Sequence, residues 1–471
     1  MKKNNILQVI VFTLIINSVS TAEISKIEKD RITLQTDKLV EKYINLDIFS
    51  GVVLIAENGT PIYQKAFGLA NREKNIPNTL NTKFDIGSMN KTFTKVVIYQ
   101  LVEEGKLKLG DKLGQYIMGF PKEAADYITV SHLINHQSGY GDYHSPDYFN
   151  SSKEEKKIKP LVERIKKQPL LFQPGEEQEY SNAGYILLGA IIEKVTGKSY
   201  HQNVKERIVE PLKLTETYVE KKNEIPDRSI GYFKNAKGEI QNNEGFLEIP
   251  NPDGGFQSTV NDILKFYQEY FYGDQLLSEK TKEMMKEFDY YKEVGKTGGA
   301  IPQAGGFEGA NTVIYEILRD KISIIVFANM DEPVAEQLGA GILAIIRGQE
   351  PKEPTLPAIQ NVYRALVEKN PQYVKENFEE LTKNFHPADP KDIILNQVGY
   401  EFLFDGNIDK AIQAFKLNIE IFPNVANCYD SLGEALLKKG DKEGALINYK
   451  RALKLNPNMK SAKEKVLELS K

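Results

Sequence analysis

The sequence predicts an α+β domain followed by an α-helical domain. Residues 51–68 and 311–330 each have the pattern of a β-hairpin, and the region between them shows mostly helical patterns and glycine-rich loops. Strands at both ends of such a region predict one domain whose termini meet in a sheet. Near the C-terminus a 34-residue repeat predicts helices stacked in pairs.

The individual elements follow from local signals. The first hairpin turns at Asn58-Gly59, which is the strongest short hairpin signal, and the second turns near Arg319-Asp320. Residues 181–197, "SNAGYILLGAIIEKVTG", have an apolar stripe and a terminal glycine, which predict a helix, and residues 334–348 predict another.

Size and charge narrow the class of protein. A chain of 471 residues is long enough for two or more domains. The net charge of −4 and the pI near 6.0 provide no basic excess for binding phosphates, so nucleic-acid binding is set aside. The single cysteine, Cys428, allows no intrachain disulfide and no cysteine-based zinc site.

The first 22 residues have the pattern of a signal peptide. Lys2 and Lys3 precede the apolar run 6–16, which is too short to span a bilayer, and small residues then allow cleavage after Ala22. An uncleaved interfacial segment is the less favoured alternative. We therefore expect an exported protein, periplasmic or extracellular, with no transmembrane helix after cleavage.

A change in composition marks the second domain. Residues 349–357, "QEPKEPTLP", predict a linker between a domain at 23–348 and a helical domain at 358–471. Within the latter, units at about 391–424 and 425–458 align, so that glycine, alanine, aromatic and proline positions recur. This pattern resembles the tetratricopeptide repeat. Residues 358–385 are helical without the pattern, either as a degenerate unit or as a cap.

The candidate catalytic residues begin with Ser88 in "DIGSMNKTFTK". Serine is a favoured helix N-cap, but Lys91 lies three positions on, where a helix places both residues on one face. A serine nucleophile needs a base, and a lysine or tyrosine serves where no histidine is suitably placed. His132 and His136 lie in "HLINH", which lacks the glutamate of a metalloprotease helix, so we expect structural roles for both.

Two further motifs complete the set. "VGKTGGAIPQAGG" contains Lys296, Thr297 and Gly298, the only Lys-Thr-Gly triplet in the chain, and "QPGEEQEYSNAGY" contains Tyr180 and Asn182 before a helix. A second cation beside Lys91 would favour its neutral form. Glycines would let backbone approach a substrate closely, and an N–H just after Gly298 could face an oxyanion.

Ser-x-x-Lys, Tyr-x-Asn and Lys-Thr-Gly in this order resemble the penicillin-recognising serine hydrolases, particularly the branch of class C β-lactamases, D-alanyl-D-alanine carboxypeptidases and esterases. "ITVSHLINHQSGYGDY" and "PDGGFQSTVNDILKFYQEYF" also look like that family's segments, and the resemblance covers residues from about 30 to 347. It implies an antiparallel sheet with helices on both faces, a helical lobe and a site between them.

The resemblance also implies roles for the matching residues. Ser88 resembles the nucleophile, Lys91 its partner in proton transfer, and Tyr180 the general base. Asn182 resembles a donor to the substrate amide or to Lys91, and Lys296 the residue that favours a substrate carboxylate. The remaining implied positions are the oxyanion donors, the backbone N–H groups of Ser88 and Gly299, beside Thr297 and Gly298.

The sequence therefore predicts an exported serine hydrolase that forms an acyl-serine intermediate, without a metal or organic cofactor. A D-alanyl peptide, a β-lactam and a carboxylic ester remain open as substrates. The alternative is a protein that senses a ligand without turnover, or that binds a protein partner through its repeats. The intact motifs argue against that alternative.

Overall fold

The computed structural model describes residues 24–220, 224–246, 249–331, 333–385 and 390–470. The predicted signal peptide lies outside these residues. No helix in the described part is both long enough and apolar enough to cross a membrane.

The sequence-distant hairpins form one sheet. Its five antiparallel strands run in the order β2 (Thr60–Phe67), β1 (Gly51–Glu57), β11 (Ile322–Ala328), β10 (Ala310–Ile317) and β9 (Ile301–Phe307), so the N-terminal hairpin pairs with the C-terminal one. In the N-terminal hairpin, Asn58 and Gly59 take the positive φ angles, 50° and 71°, that a tight turn requires. The strands are β1 Gly51–Glu57, β2 Thr60–Phe67, β3 Leu69–Asn71, β4 Ile76–Pro77, β5 Phe84–Asp85, β6 Tyr232–Lys234, β7 Ile240–Asn242, β8 Gln257–Ser258, β9 Ile301–Phe307, β10 Ala310–Ile317 and β11 Ile322–Ala328.

Helices cover both faces of this sheet. Along β1, Val52 and Leu54 join the core on one face while Val53 and Ile55 join the core on the other, because successive strand residues point in opposite directions. The helices of this part are α1 Lys26–Asn45, α2 Lys91–Glu103, α3 Leu113–Tyr116, α4 Lys122–Tyr127, α5 Val130–Ile134, α6 Pro146–Phe149, α7 Ile158–Ile165, α8 Asn182–Thr196, α9 Tyr200–Val204, α10 Val260–Tyr272, α11 Glu279–Met284, α12 Lys286–Thr297 and α13 Val334–Ile346. A 3₁₀ helix, Gly87–Asn90, precedes α2, and a π-helical segment, Lys205–Val209, follows α9.

The predicted linker, 349–357, contains neither helix nor strand, and the chain beyond it is helical. Its helices are α14 Ala358–Glu368, α15 Pro371–Glu376, α16 Phe378–Leu381, α17 Asp392–Phe404, α18 Ile408–Ile421, α19 Ala426–Lys439, α20 Lys442–Leu455 and α21 Lys460–Leu469. In each repeat a glycine of the first helix lies against an aromatic ring of the second: Gly399 against Phe415, and Gly433 against Tyr449. The α+β domain followed by a helical repeat domain is the fold class that the sequence predicts.

The two parts meet at the turn between β6 and β7. Ala236 of that turn is buried in the core of the helical domain. Lys237 Nζ lies 2.6 Å from a carboxylate oxygen of Asp405 and 3.1 Å from one of Glu401, and Asn235 Nδ2 donates to Glu401 at 3.3 Å. The helical domain therefore packs against the same side of the molecule as β6 and β7.

Candidate active site

Ser88 lies in the 3₁₀ helix that leads into α2, and its residue is half-buried. The chain enters this turn through Gly87, whose φ of +48° favours glycine, and the Gly87 N–H donates to Asp85 at 2.9 Å. Asn90 fixes the other end of the turn by donating to the carbonyl of Asn251 at 2.9 Å. The turn presents Ser88 at the N-terminal end of α2, where the helix dipole favours developing negative charge.

Lys91 is buried and bonded to three acceptors. Its Nζ donates to Ser88 Oγ at 3.0 Å, to Asn182 Oδ1 at 2.8 Å and to the carbonyl of Asp253 at 2.7 Å. An ammonium has three N–H donors, so these contacts satisfy a charged Lys91 completely. The arrangement places a fixed positive charge against the serine oxygen.

Tyr180 contacts Ser88 from the solvent side. Its Oη donates to Ser88 Oγ at 2.7 Å, and the residue is 54% exposed. Lys91 Nζ lies 4.8 Å from the centroid of the Tyr180 ring. The phenol oxygen is within proton-transfer distance of Ser88, and the cation beside it favours negative charge on either oxygen.

His136 supports Tyr180 from behind. Its ring stacks on the Tyr180 ring at 4.9 Å between centroids, and its Nδ1 accepts the N–H of Ser181 at 3.0 Å. Burial, followed by the positive charges of Lys91 and Lys95, lowers the pKa of His136 to about 4. The ring is therefore neutral near pH 7 and holds the Tyr-Ser-Asn turn in place.

Asn182 connects Lys91 to Asp142, a carboxylate that lies outside the three sequence motifs. Its Oδ1 accepts from Lys91, and its Nδ2 donates to Asp142 Oδ1 at 3.1 Å. His144 Nδ1 lies 2.6 Å from the same Asp142 oxygen. Burial acts to raise the pKa of Asp142, but hydrogen bonds from His144 and Asn182 outweigh it and hold that pKa below its ordinary value. Asp142 is thus an anion at the site.

The strand beside Ser88 is β9, through Gly305 and Gly306. A Cβ on Gly305 would lie 2.1 Å from the Ile86 carbonyl oxygen and 2.6 Å from the Ser88 nitrogen, while one on Gly87 would lie 2.5 Å from the Gly306 nitrogen. Only glycine permits this approach of two backbones. The stretch from Gly305 to Phe307 is consequently the backbone that lies close enough to complement the Ser88 N–H around an oxyanion.

The structure does not bring the Lys-Thr-Gly triplet to this site. Lys296 and Thr297 end α12; the Lys296 side chain is 69% exposed and its Nζ lies 2.5 Å from Glu293. Gly298 caps the helix in the left-handed region, and the Gly299 N–H donates to the carbonyl of Val294 at 3.0 Å. The helical pattern continues through the triplet, and β9 begins only at Ile301, so these residues lie at the far end of the strand from Gly305.

A cavity of about 100 Å³ opens beside Ser88. Its described lining residues include no lysine or arginine; they are Asp85, Gly87, Ser88, Tyr143, His144, Asn182, Ile249, Asn251, Asp253, Gly254, Gly255, Gly306 and Phe307. Tyr143 Oη donates to the carboxylate of Asp253 at 2.8 Å, and burial raises the pKa of that carboxyl. The neighbourhood of the nucleophile is therefore polar, with Asp142 at its edge in place of the expected second lysine.

The structure brings together four of the residues that the motifs indicated, namely Ser88, Lys91, Tyr180 and Asn182. The sequence did not indicate Asp142, His144 or Gly305. Asp142 and His144 lie 40 and 38 positions before Asn182, and no short motif joins them to it. For Gly305 a signal existed, because Gly305-Gly306 directly precedes a β-rich run. Gly298-Gly299 offered the same signal seven residues earlier.

Comparison with known proteins identifies the family. The model of the β-lactamase family matches residues 36–345, and that of the tetratricopeptide repeat matches residues 426–459. The chain belongs to the β-lactamase family and is a serine hydrolase of the class that includes the penicillin-binding proteins.

Three similar proteins within this family are as follows, in the order of curated relatives and then a solved structure. The chain is 29% identical to penicillin-binding protein 4* of Bacillus subtilis (strain 168) over 316 residues, 60% of this chain and 69% of the relative. It is 36% identical to a teichoic acid D-alanine hydrolase of Staphylococcus aureus (strain NCTC 8325 / PS 47) over 307 residues, 62% and 73% of the two chains. Among solved structures it resembles FmtA from Staphylococcus aureus, with a TM-score of 0.57, 27% identity, and coverage of 70% of this chain and 92% of that one.

Proposed function

We propose that the protein hydrolyses an aminoacyl ester or amide, of the D-alanyl type, through an acyl intermediate on Ser88. The observation that carries the proposal is the contact of Ser88 Oγ with both Tyr180 Oη, at 2.7 Å, and Lys91 Nζ, at 3.0 Å. Both groups donate to Ser88 Oγ in the structure, and the phenolate form of Tyr180 would supply the proton acceptor that a serine nucleophile requires.

The steps follow from these contacts. With Tyr180 as the phenolate, Ser88 Oγ forms a bond to the substrate carbonyl carbon while its proton passes to the Tyr180 oxygen and the C=O electron pair moves onto the carbonyl oxygen. The Ser88 N–H and the backbone of β9 face the resulting oxyanion. Collapse breaks the bond to the leaving group, which takes the proton from Tyr180. Water then attacks the acyl-Ser88 ester with Tyr180 as base, and releases the carboxylic acid and Ser88. Lys91 keeps its charge and stabilises the negative oxygen in each step.

The charges around the cavity favour an amine on the substrate over a carboxylate. Lys296, the residue expected to pair with a substrate carboxylate, is held outside the site. All three N–H donors of Lys91 are already bonded within the protein, so none is left for a substrate carboxylate. Asp142 is a half-exposed anion beside Asn182. We place the acyl part of the substrate beside Asp142 and Asn182, where a free ammonium would form a charge-assisted hydrogen bond with the Asp142 carboxylate. A D-alanyl group carries such an ammonium, and the teichoic acid D-alanine hydrolase relative is named for removing D-alanine.

The test compares D-alanine p-nitroanilide with N-acetyl-D-alanine p-nitroanilide, which lacks the ammonium. We expect kcat/KM at least about tenfold higher for the free amine, since a charge-assisted hydrogen bond contributes about 1.5–3 kcal/mol. Asp142→Asn should reduce this preference, and Ser88→Ala should abolish turnover of both compounds. An equal or higher kcat/KM for the acetylated compound, or faster hydrolysis of a β-lactam, would contradict the proposed substrate.

A fluorophosphonate probe tests the nucleophile separately. We expect mass spectrometry to place the label on Ser88, and Ser138 or Ser181 as the labelled residue would refute the assignment.

Export is also part of the proposal, because Lys2, Lys3 and the apolar run 6–16 precede small residues. N-terminal sequencing of the mature protein should then begin at Glu23.

A further inference from the structure

The hairpin formed by β6 and β7 lies between the helical domain and the strand beside Ser88. Each of its two strands is only three residues long, and all three residues of β7 are exposed. An isolated two-stranded hairpin is marginally stable at best in water. The position of this hairpin therefore depends on the contacts that hold its two ends.

The helical domain holds the tip of the hairpin. Ala236 is buried in the core of that domain. Next to it, the Lys237 ammonium pairs with the carboxylates of Glu401 in α17 and of Asp405 just after α17. The tip is thus docked on the helical domain by one apolar contact and by a pair of charged contacts.

The base of the hairpin holds the turn between β9 and β10. The Tyr232 N–H donates to the carbonyl of Gly309 at 3.2 Å. The carboxylate of Asp331 joins the hairpin to the same turn, because it accepts the N–H of Lys234 at 3.2 Å and the N–H of Gly309 at 2.9 Å. A Cβ on Gly309 would lie 2.5 Å from the Tyr232 nitrogen, so the two backbones are in direct contact.

This turn leads directly into the active site. Gly306 and Phe307, the residues before it, line the cavity beside Ser88. The next residue is Glu308, whose carbonyl accepts from Asn243 Nδ2 at 2.9 Å. A movement of the hairpin base would therefore shift the end of β9 relative to the Ser88 turn.

We propose that the helical domain sets the position of β9 beside Ser88 through this hairpin, and that Lys237 is a positioning residue for the acyl transfer. The contacts form one continuous path, from the helical domain to the hairpin tip, from the hairpin base to the β9–β10 turn, and from that turn to Phe307. Packed contacts and hydrogen bonds of this kind carry energetic coupling between distant parts of a protein. The inference rests on the proposed function, because the backbone of β9 complements the Ser88 N–H around the oxyanion in the proposed reaction.

Hydrogen exchange in the full-length protein tests the structural part of the proposal. Lys237→Glu replaces attraction to Asp405 and its neighbouring carboxylate by repulsion. Since exchange of protected amides follows local opening, and exposed ion pairs contribute up to about fivefold, we expect peptides covering residues 305–309 to exchange at least about threefold faster. The reversed pair Lys237→Glu/Asp405→Lys should restore most of the protection. Lys439→Glu is the matched control, because it breaks an ion pair with Asp409 inside the helical domain and should leave this exchange unchanged.

Acylation of Ser88 tests the functional part. Ala236→Glu would place a charge in the core of the helical domain, and the cost of burying it would undock the hairpin tip. A misplacement of about 1 Å can cost about a hundredfold in rate, and β9 stays paired with β10, so we expect a smaller loss of about tenfold. The loss should appear in the rate of fluorophosphonate labelling and in kcat for D-alanine p-nitroanilide. KM should change less than about twofold, because the oxyanion contact forms only in the transition state.

Circular dichroism and urea denaturation verify that each variant is folded. Ala236→Gly removes a methyl group without adding a charge, and it should change the labelling rate less than about twofold. A folded Ala236→Glu protein that is labelled at more than half of the wild-type rate would overturn the proposal. Unchanged exchange of residues 305–309 in Lys237→Glu would also overturn it, and this comparison decides alone if Ala236→Glu does not fold.

The labelling assay separates this proposal from the proposed substrate, since the probe contains no D-alanyl group. Slower labelling of Ala236→Glu, together with a wild-type protein that leaves D-alanine p-nitroanilide intact, would support the coupling and refute the proposed substrate. Hydrolysis of that compound by the wild-type protein, together with unchanged labelling in Ala236→Glu, would refute the coupling alone.

Discussion

Replacing Gly305 with alanine is the sharpest test of the site geometry. The added Cβ would lie 2.1 Å from the Ile86 carbonyl oxygen, where ordinary contact needs 3.4 Å, so backbone must move by about 1.3 Å. Both β9 and the Ser88 turn are packed backbone, and neither has a flexible side chain to give way. Since a misplacement of about 1 Å can cost about a hundredfold in rate, we expect kcat/KM to fall by about that factor. Overpacking of this kind should also cost about 1–3 kcal/mol of stability.

The assay is hydrolysis of D-alanine p-nitroanilide together with the rate of fluorophosphonate labelling at Ser88. Urea denaturation of each variant verifies that the protein assayed is folded. Gly110→Ala is the matched control, because no atom lies within 4 Å of the added Cβ. A folded Gly305→Ala protein with more than half of the wild-type kcat/KM would refute the close contact between β9 and the nucleophile turn.

Three other predictions concern charged and aromatic groups. Lys296→Ala should change kcat/KM less than about twofold, because its exposed ion pair with Glu293 contributes little; a loss of tenfold or more would place Lys296 in the site. Tyr180→Phe and Lys91→Ala should each cripple acylation of Ser88, and the double variant should be little worse than the poorer single one; additive losses would show that the two act independently. His136 has its pKa lowered from 6.5 to about 4 in the folded protein, so the unfolded chain binds the proton more tightly and the contribution of His136 to stability falls as the pH drops below 6.5. Burial raises the pKa of Glu316 to about 7 and that of Asp331 to about 6, and these two carboxyls act in the opposite direction in the same pH range. The prediction therefore concerns the difference between the wild-type protein and His136→Gln: in urea titrations the wild-type free energy of unfolding should fall by about 2 kcal/mol relative to the variant between pH 7 and 5, and an identical pH dependence of the two proteins would show that His136 is not responsible.

Local signals predicted the parts of the fold that depend on local physics. Asn58-Gly59 turns a hairpin because the two residues adopt positive φ at little cost, whatever surrounds them. Ser88 and Lys91 meet because three positions along a helical turn share a face. The pairing of β1 with β11 was reached by a different route, from strands that lie at both ends of one domain and need partners.

The third motif shows where the sequence was insufficient. Lys296-Thr297-Gly298 was expected beside Ser88, but Glu293 pairs with Lys296 at helical spacing and Gly298 takes the left-handed conformation that ends a helix. The glycine that reaches Ser88 is Gly305, and its selection depends on how far β9 slides along β10. Register is a tertiary property, since two glycine pairs seven residues apart are locally alike.

The position of Lys296 outside the site has a consequence for selectivity. A lysine beside the nucleophile would favour a carboxylate on the substrate, as the resemblance to the penicillin-recognising hydrolases implied. Here the carboxylate of Asp142 lies at the edge of the site instead. A carboxylate attracts a substrate ammonium and repels a substrate carboxylate. In the proposed reaction, Ser88, Lys91 and Tyr180 therefore carry the acyl transfer, while Asp142 favours an acyl group with a free ammonium.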